Sequence, residues 1–157
     1  MTDFDLPLTW DMASLQDRGF EGFVTFAQIE WDEVPREPGI YVVLRPDLAE
    51  SVIVATSAAA YVPYLADELK SRWIDHSEIL YIGKANGTGG LRSRLRPFAR
   101  QAASHSGGRS IWQLSTADQL LVAWILTPGW DPEQVEKDYI RAFRQAFGQR
   151  PFANRRD

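Results

Sequence analysis

The sequence predicts an α/β domain in which short strands are followed by helices. Three runs of strand length, residues 39–44, 78–82 and 119–127, are rich in β-branched, aromatic and aliphatic side chains. After the second and the third run, apolar residues recur every three or four positions, which is the period of an amphipathic helix. With 157 residues, the chain has the length of one domain with a single hydrophobic core.

An acidic extension rich in aromatic residues, residues 1–34, precedes the first strand. Residues 19–29 within it predict one or two short strands, and we expect the extension to pack on a core formed by residues 35–157. Pro35 and Pro38 mark the boundary between these two parts. The whole chain, 1–157, is therefore interpreted as one domain with an N-terminal extension.

Residues 47–77 form an insertion between the first two strands. The four-residue spacing of Leu65, Leu69 and Trp73 predicts one or two helices there. After the second strand, the glycine-rich residues 83–90 give the backbone the freedom for a sharp turn into the next helix.

Two later helices are predicted from apolar stripes at helical spacing. The stripe of the first consists of Leu91, Leu95 and Phe98. The stripe of the second consists of Ile140, Phe143 and Phe147. Pro97 either kinks the first of these helices or marks its first turn. The second is bounded by Asp131 and Gly148, residue types that favour the N-cap and the C-cap of a helix.

The net charge of -4 hides an uneven distribution of charge along the chain. Residues 1–80 contain 5 Lys/Arg and 15 Asp/Glu, whereas residues 81–157 contain 12 Lys/Arg and 6 Asp/Glu. From Lys84 to Arg109 there are six cationic side chains and no carboxylate, which is the local field that contact with a polyanion requires. The alternative is a solvated helix beside an acidic segment. An outer ridge suited to phosphates consists of Arg92, Arg96 and Arg100.

Several chemistries are excluded by the residue types that the chain lacks. The chain contains no Cys, which excludes a thiol nucleophile. Its two histidines, His76 and His105, are too few for a structural zinc site. The glycines of residues 83–90 match no phosphate-binding loop pattern, and a Gly-x-Ser-x-Gly elbow is absent. Any metal must be held by oxygen ligands. Because apolar stretches are short and the first residues lack a basic leader, we expect a cytoplasmic protein without membrane contact.

Two charged residues occupy positions where helical spacing places apolar ones. Glu136 precedes Ile140 by four residues and lies near the positive N-terminal end of its helix. Arg94 lies between Leu91 and Phe98 on the apolar flank of its own helix. Because burying an unpaired charge is costly, both positions indicate a site. The alternatives are a first-turn carboxylate and an arginine that buries its stem alone.

The chain contains, in order, Gly39-Ile40-Tyr41 on the first strand, Tyr81-Ile82-Gly83 on the second, Arg94 and Glu136 on the two later helices, and Asn154. In this order the residues resemble the motif of the GIY-YIG nuclease superfamily. The resemblance covers residues 39–154, and the stretch from Tyr81 to Leu95 is most similar to the N-terminal incision domain of the bacterial nucleotide-excision repair nuclease. It implies an α+β sandwich with a short, mainly antiparallel, three-stranded central sheet flanked by helices.

The resemblance implies an endonuclease that hydrolyses phosphodiester bonds in DNA with one Mg²⁺ or Mn²⁺ ion. Glu136 would hold the metal, Arg94 would hold the scissile phosphate and Tyr81 would orient water or phosphate. Tyr41 is the implied general base, which requires neighbouring cations or the metal to lower its pKa from about 10. Further contacts to nucleic acid are expected from residues that the resemblance implies and from the basic segment between Lys84 and Arg109. These residues are Lys84, Arg92, Arg96, Arg100, His105, Arg109 and Asn154.

Two departures from the family pattern keep other functions open. Phe98 stands where members commonly carry a Tyr or His that exchanges protons, and His105 is the candidate replacement. Residues 47–77 replace a brief connection and are a candidate for substrate recognition. The open alternatives are a nuclease acting on RNA and a catalytically weakened module that binds nucleic acid or a protein partner without cutting. We also expect a protein partner that targets this acidic chain to its substrate.

Overall fold

The computed structural model describes residues 4–57, 62–102 and 107–155. Short 3-10 turns connect its regular elements, and the one at Arg109–Gln113 contributes Arg109 and Ser110 to the candidate site. The helices are α1 (Met12–Arg18), α2 (Ala66–Arg72), α3 (Gly90–Ala99) and α4 (Pro132–Phe147). The strands are β1 (Glu21–Val24), β2 (Gly39–Leu44), β3 (Ile79–Ala85) and β4 (Leu121–Leu126).

The four strands form one antiparallel sheet in the order β1-β4-β2-β3. The predicted α+β class and antiparallel sheet are confirmed, but the predicted number of three strands is wrong. The fourth strand, β1, comes from the N-terminal extension and pairs with β4. β1 lies within residues 19–29, so the prediction of a short strand there is confirmed, but its four partly exposed residues carry no apolar pattern that indicates pairing with the central sheet.

Helices cover both faces of the sheet, with β2 buried at its centre. On one face α3 packs through its predicted stripe of Leu91, Leu95 and Phe98. On the other face α4 buries Ile140 and Phe143, and its remaining stripe residue, Phe147, packs at the margin. Pro97 lies in the last turn of α3, so the interpretation of Pro97 as the first turn is wrong. Within the described residues, no helix combines the length and the apolarity needed to cross a bilayer.

The predicted ends of α4 are confirmed and fix the direction from which Glu136 enters the site. The Asp131 carboxylate accepts a hydrogen bond from the Glu133 N–H at 3.0 Å, and Pro132 follows at the first helical position. Gly148 ends the helix with a left-handed φ of 81°. Glu136 therefore lies in the second turn of a helix whose N-terminal end is well capped.

The described part of the insertion between β2 and β3 contains one α-helix, α2. Arg45 binds both ends of this insertion. The buried Arg45 guanidinium donates all five of its N–H groups to backbone carbonyls, and its ring neighbour is Trp73, 4.6 Å from Cζ to the ring centroid. Because the acceptors belong to both ends of the insertion, Arg45 closes it as a loop. The acceptors belong to Leu48, Ala49, Ile74, Asp75 and Ser77.

Candidate active site

A pocket of about 400 Å³ lies at the β3 edge of the sheet. Its lining comes from β3, α3, α4, the C-terminal segment, the insertion and the turn at Arg109–Gln113. Within the described residues β3 is the last strand of the sheet, and elements from both faces of the sheet reach the pocket at its outer edge. The predicted site residues that line it are Tyr81, Lys84, Arg94, Arg109, Glu136 and Asn154.

The C-terminal segment covers part of the open edge of β3. The Ala153 N–H donates to the Leu80 carbonyl at 2.8 Å. The Asn154 side chain bonds both backbone groups of Ile82, since its Nδ2 donates to the carbonyl and its Oδ1 accepts from the N–H, each at 2.9 Å. Ile82 is the central residue of the second triplet. Asn154 thus fixes the backbone that carries Tyr81 into the pocket.

Tyr41 lies behind the pocket and does not line it. It is fully buried, and its ring packs directly over Gly83, where a Cβ atom would collide with the ring and the hydroxyl. The Tyr41 hydroxyl is hydrogen-bonded to Tyr81 and to Arg94. Phe98 closes the group from behind, with ring centroids 6.1 Å from Tyr41 and 5.8 Å from Tyr81. The two triplets therefore meet at a tilted pair of tyrosine rings, with centroids 6.0 Å apart and an interplanar angle of 55°, and Arg94 binds the hydroxyl of Tyr41.

Of the two tyrosines, Tyr81 is the one that presents its side chain to the pocket. Burial raises the pKa of Tyr41 well above its ordinary value, and Tyr81 raises it further, whereas Arg94 lowers it. A general base at neutral pH needs a pKa near 7, so burial moves the Tyr41 hydroxyl away from that role. Phe98 supplies no proton-exchanging group, and His105, its candidate replacement, lies outside the described residues.

Glu136 presents the carboxylate of the pocket. It is 9 % exposed, and its Oε1 lies 3.8 Å from the Lys84 Nζ, which also lies 3.5 Å from Oε1 of Glu133. Burial raises the pKa of Glu136, and of the neighbouring charges Lys84 and Arg94 lower it while Glu133 raises it. The carboxylate lies on the inward face of α4, as helical spacing predicts, and it opens on a pocket instead of a dry core.

The donor set of the pocket suits a cation that brings most of its own ligands. Among residues 4–57, 62–102 and 107–155, no cluster of three or more His, Cys, Asp or Glu is found. Mg²⁺ is commonly held by one or two carboxylates plus water and substrate phosphate oxygens, and Glu136 offers one carboxylate beside an open volume. Because Lys84 pairs with the same carboxylate, a metal ion would compete with that ion pair. The residues fit a site completed by a phosphate ligand.

The outer ridge of α3 contacts the N-terminal extension instead of the pocket. Arg92 donates from Nε to the Val34 carbonyl at 2.9 Å and from Nη2 to the Asp32 carbonyl at 3.2 Å. The Arg96 guanidinium lies over the Trp31 ring, 5.4 Å from its centroid. For these two arginines the structure favours the alternative of a basic helix beside an acidic segment. The predicted contacts that do not line the pocket are Arg92, Arg96 and Arg100.

One wall of the pocket, here called the arginine wall, consists of Tyr64, Arg109, Ser110 and Arg155. Arg109 is a predicted contact, whereas sequence reasoning missed the other three. Tyr64 belongs to the insertion, Ser110 to the turn after α3 and Arg155 to the C-terminal segment. These segments meet only in the folded chain, so no spacing in the sequence links them.

Gly107 and Gly108 allow the chain leading into the arginine wall to approach Tyr81 closely. A Cβ atom on Gly107 would lie 2.5 Å from the Tyr81 hydroxyl oxygen, and one on Gly108 would lie 3.0 Å from its ring carbons. Gly108 also has a φ of +72°, a left-handed conformation that favours glycine. Tyr81 is therefore packed between this glycine pair and Tyr41.

Comparisons with known proteins add no relative, because no family model, no curated protein and no solved structure matches the chain. The resemblance to GIY-YIG nucleases thus stays a hypothesis that depends on the order of the motif residues along the chain. The geometry adds an independent observation: Tyr81, Arg94 and Glu136, from three different elements, line one pocket.

Proposed function

We propose that this protein is a metal-dependent endonuclease that hydrolyses phosphodiester bonds, with DNA as its substrate, at the β3-edge pocket. The observation that carries the proposal is the convergence of Tyr81, Arg94 and Glu136 on one concave site. An arginine, a carboxylate and a hydroxyl in mutual reach supply phosphate binding, cation binding and orientation of a nucleophile.

The charge of the pocket supports an anionic substrate although the whole chain is acidic. Four cationic side chains and one carboxylate are among the described residues that line it. A pocket with an excess of positive charge concentrates anions locally whatever the net charge of the protein. The cationic residues are Lys84, Arg94, Arg109 and Arg155.

A second pocket supports a polymer as the substrate. It also has a volume of about 400 Å³, and it shares Lys84 and Arg94 with the first. The glycine-rich turn after β3 lines it through Asn86, Gly87 and Thr88. A ligand that fills both pockets must extend along the β3 edge past Arg94. A nucleic-acid strand has this shape, whereas a small phosphate ester needs only one pocket.

Each pocket residue has a proposed role that its position allows. Arg94 binds the scissile phosphate through its planar guanidinium, and Tyr81 orients the attacking water or a phosphate oxygen. Glu136 would hold Mg²⁺ or Mn²⁺, and such an ion stabilises negative charge on the leaving oxygen when it is bound. Lys84 balances the Glu136 carboxylate in the absence of substrate. Tyr41, buried behind Tyr81, positions Tyr81 and Arg94 through its hydroxyl.

A second candidate function is a module that binds nucleic acid without cutting it. Three observations favour it: burial raises the pKa of Tyr41, Phe98 supplies no proton-exchanging group, and Lys84 already pairs with Glu136. In this alternative the pocket keeps its affinity for phosphate but has no group that deprotonates water. A structured RNA is the alternative substrate of the enzyme, since DNA and RNA present the same phosphodiester group to the pocket.

The test is a cleavage assay with purified protein on supercoiled plasmid and on a structured RNA, each in Mg²⁺, in Mn²⁺ and in EDTA. We expect nicking or cutting with metal, none with EDTA, and none by Glu136→Ala or Arg94→Ala. Arg141→Ala is the matched control, because Arg141 is exposed on α4 outside the pocket. Intact nucleic acid in every reaction, with salt-sensitive binding retained, would overturn the nuclease in favour of the binding module.

A further inference from the structure

The arginine wall is built in a way that the proposed cleavage chemistry does not require. Its aromatic residue, Tyr64, is fixed by the buried side chain of Gln113, which accepts from the Tyr64 N–H at 2.8 Å and donates to the Tyr64 carbonyl at 2.9 Å. Gln113 also donates to the Val54 carbonyl at 3.1 Å. The insertion is thus anchored to the turn that carries Arg109 and Ser110.

The Tyr64 ring gathers two guanidinium groups at the pocket. The Arg109 and Arg155 Cζ atoms lie 4.3 Å and 4.0 Å from its centroid. Cation–π contacts stabilise each of them, but two like charges against one ring also repel each other. Arg155 is paired with Glu68 outside the pocket lining. Such a gathered pair of guanidiniums favours an anionic ligand in front of it.

Ser110 supplies the observation that points to a ligand. It is 1 % exposed and lines the pocket, yet its Oγ has no hydrogen-bond partner among the described residues. A buried hydroxyl without a partner destabilises the fold, so a hydrogen bond from it to the oxygen of a bound ligand is favourable. The Arg155 Nη1 atom is likewise buried without a partner in the described part of the chain.

We propose that the arginine wall binds a second phosphate of the nucleic-acid strand, next to the phosphate that Arg94 holds. Ser110 donates its hydroxyl to a non-bridging oxygen of that phosphate, and Arg109 and Arg155 balance its charge. This inference rests on the proposed function, because it assigns the strand a direction out of the same pocket. The substrate class is a strand with at least two consecutive phosphodiesters, in contrast to an isolated diester.

The experiment measures how two competitors displace a fluorescein-labelled single-stranded DNA oligonucleotide in EDTA, followed by anisotropy. One competitor is a dinucleoside monophosphate with a single phosphodiester, and the other is a trinucleoside diphosphate with two. We expect wild type to bind the second competitor about tenfold more tightly, and Ser110→Ala to reduce that preference about fivefold. The unfolding midpoint of Ser110→Ala should not fall, because the lost hydroxyl has no partner within the described residues.

Arg155→Gln gives an independent readout through the salt dependence of oligonucleotide binding. The plot of log affinity against log salt concentration should be less steep for Arg155→Gln, by the amount that corresponds to about one lost phosphate contact. The control Arg141→Gln should keep the wild-type slope. A Ser110→Ala protein with the wild-type preference between the two competitors overturns the second-phosphate site, even if the enzyme cuts DNA. Absence of cleavage with an intact Ser110 effect overturns the proposed nuclease and supports the binding site. Absence of any oligonucleotide binding overturns both.

Discussion

Arg92 and Arg94 lie two positions apart on helix α3 and therefore on different faces, and their surroundings differ. Arg92 donates to the backbone carbonyls of Asp32 and Val34, so its guanidinium is bound within the fold. Arg94 reaches the Tyr41 hydroxyl and the pocket that contains Glu136. The difference shows that a basic residue becomes available for a ligand through what surrounds it. Spacing along a helix predicts the face of a side chain and leaves its partner open.

The largest expected effect separates these two faces by activity. Arg94→Gln should lower the rate of plasmid cleavage by about 10²–10³-fold, because it removes charge stabilisation from the reacting phosphate. Arg92→Gln should cleave at a rate close to wild type, since Arg92 does not line the pocket. Single-turnover rates with saturating protein are the measurement. Equal losses in both variants would show that the two faces of α3 do not divide function from structure.

The next effect is a loss of stability when Arg92 is replaced. Arg92→Gln should lower the free energy of unfolding by about 1–3 kcal/mol, because it breaks charge-assisted bonds that hold the N-terminal extension. The measurement is urea denaturation followed by tryptophan fluorescence. Arg100→Gln, at the exposed end of α3, removes the same charge and serves as the control. A stability for Arg92→Gln equal to that of the control would mean that the extension is held by its apolar contacts alone.

A smaller effect is expected where the glycine pair approaches Tyr81. Gly107→Ala introduces a methyl group 2.5 Å from the Tyr81 hydroxyl oxygen, so the ring must move. We expect about a tenfold loss of cleavage rate, since small displacements of positioning groups are costly in catalysis. The unfolding midpoint, measured in parallel, should change little, because the φ of Gly107 lies outside the left-handed region in which an alanine would be strained. A wild-type rate would exclude Tyr81 from positioning the reacting groups.

The smallest expected effect concerns the pH dependence of stability. Because burial raises the pKa of Glu136 in the folded protein, ionisation of this carboxyl costs stability as pH rises through and above the ordinary carboxyl range. Glu136→Gln should therefore be more stable than wild type at neutral pH by about 1 kcal/mol or less. The difference should vanish in acid, where the wild-type carboxyl is protonated in both states. Thermal unfolding across pH tests this, and a loss of stability at neutral pH would contradict it.

Much of the fold and the inward charges could be predicted because both depend on local patterns. The caps of α4 and its apolar stripe place Glu136, and the stripe of α3 places Arg94. The strand β1 could not be predicted as part of the sheet, because four partly exposed residues carry too little apolar periodicity. Its partner β4 lies about a hundred residues later in the chain.

The arginine wall and the role of Arg92 depend on contacts between distant segments. Tyr64 reaches the pocket because Gln113, 49 positions later, binds its backbone. Arg92 is withdrawn from the predicted phosphate ridge by a carbonyl 58 positions earlier. Neither contact can be predicted from the spacing of residues along the chain, because each joins segments that are far apart in sequence. A long insertion was visible in the sequence, but its contribution of one pocket residue was not.

The most direct test of the central claim compares two carboxylates one turn apart on α4. Glu133 and Glu136 both contact Lys84, at 3.5 Å and 3.8 Å, but Glu136 alone of the two lines the pocket. The measurement is the rate of metal-dependent DNA cleavage by Glu136→Gln and Glu133→Gln at matched protein concentration. We predict a loss of about 10²–10³-fold for Glu136→Gln and near wild-type activity for Glu133→Gln. Wild-type activity in Glu136→Gln would contradict the assignment of this pocket as the site of cleavage.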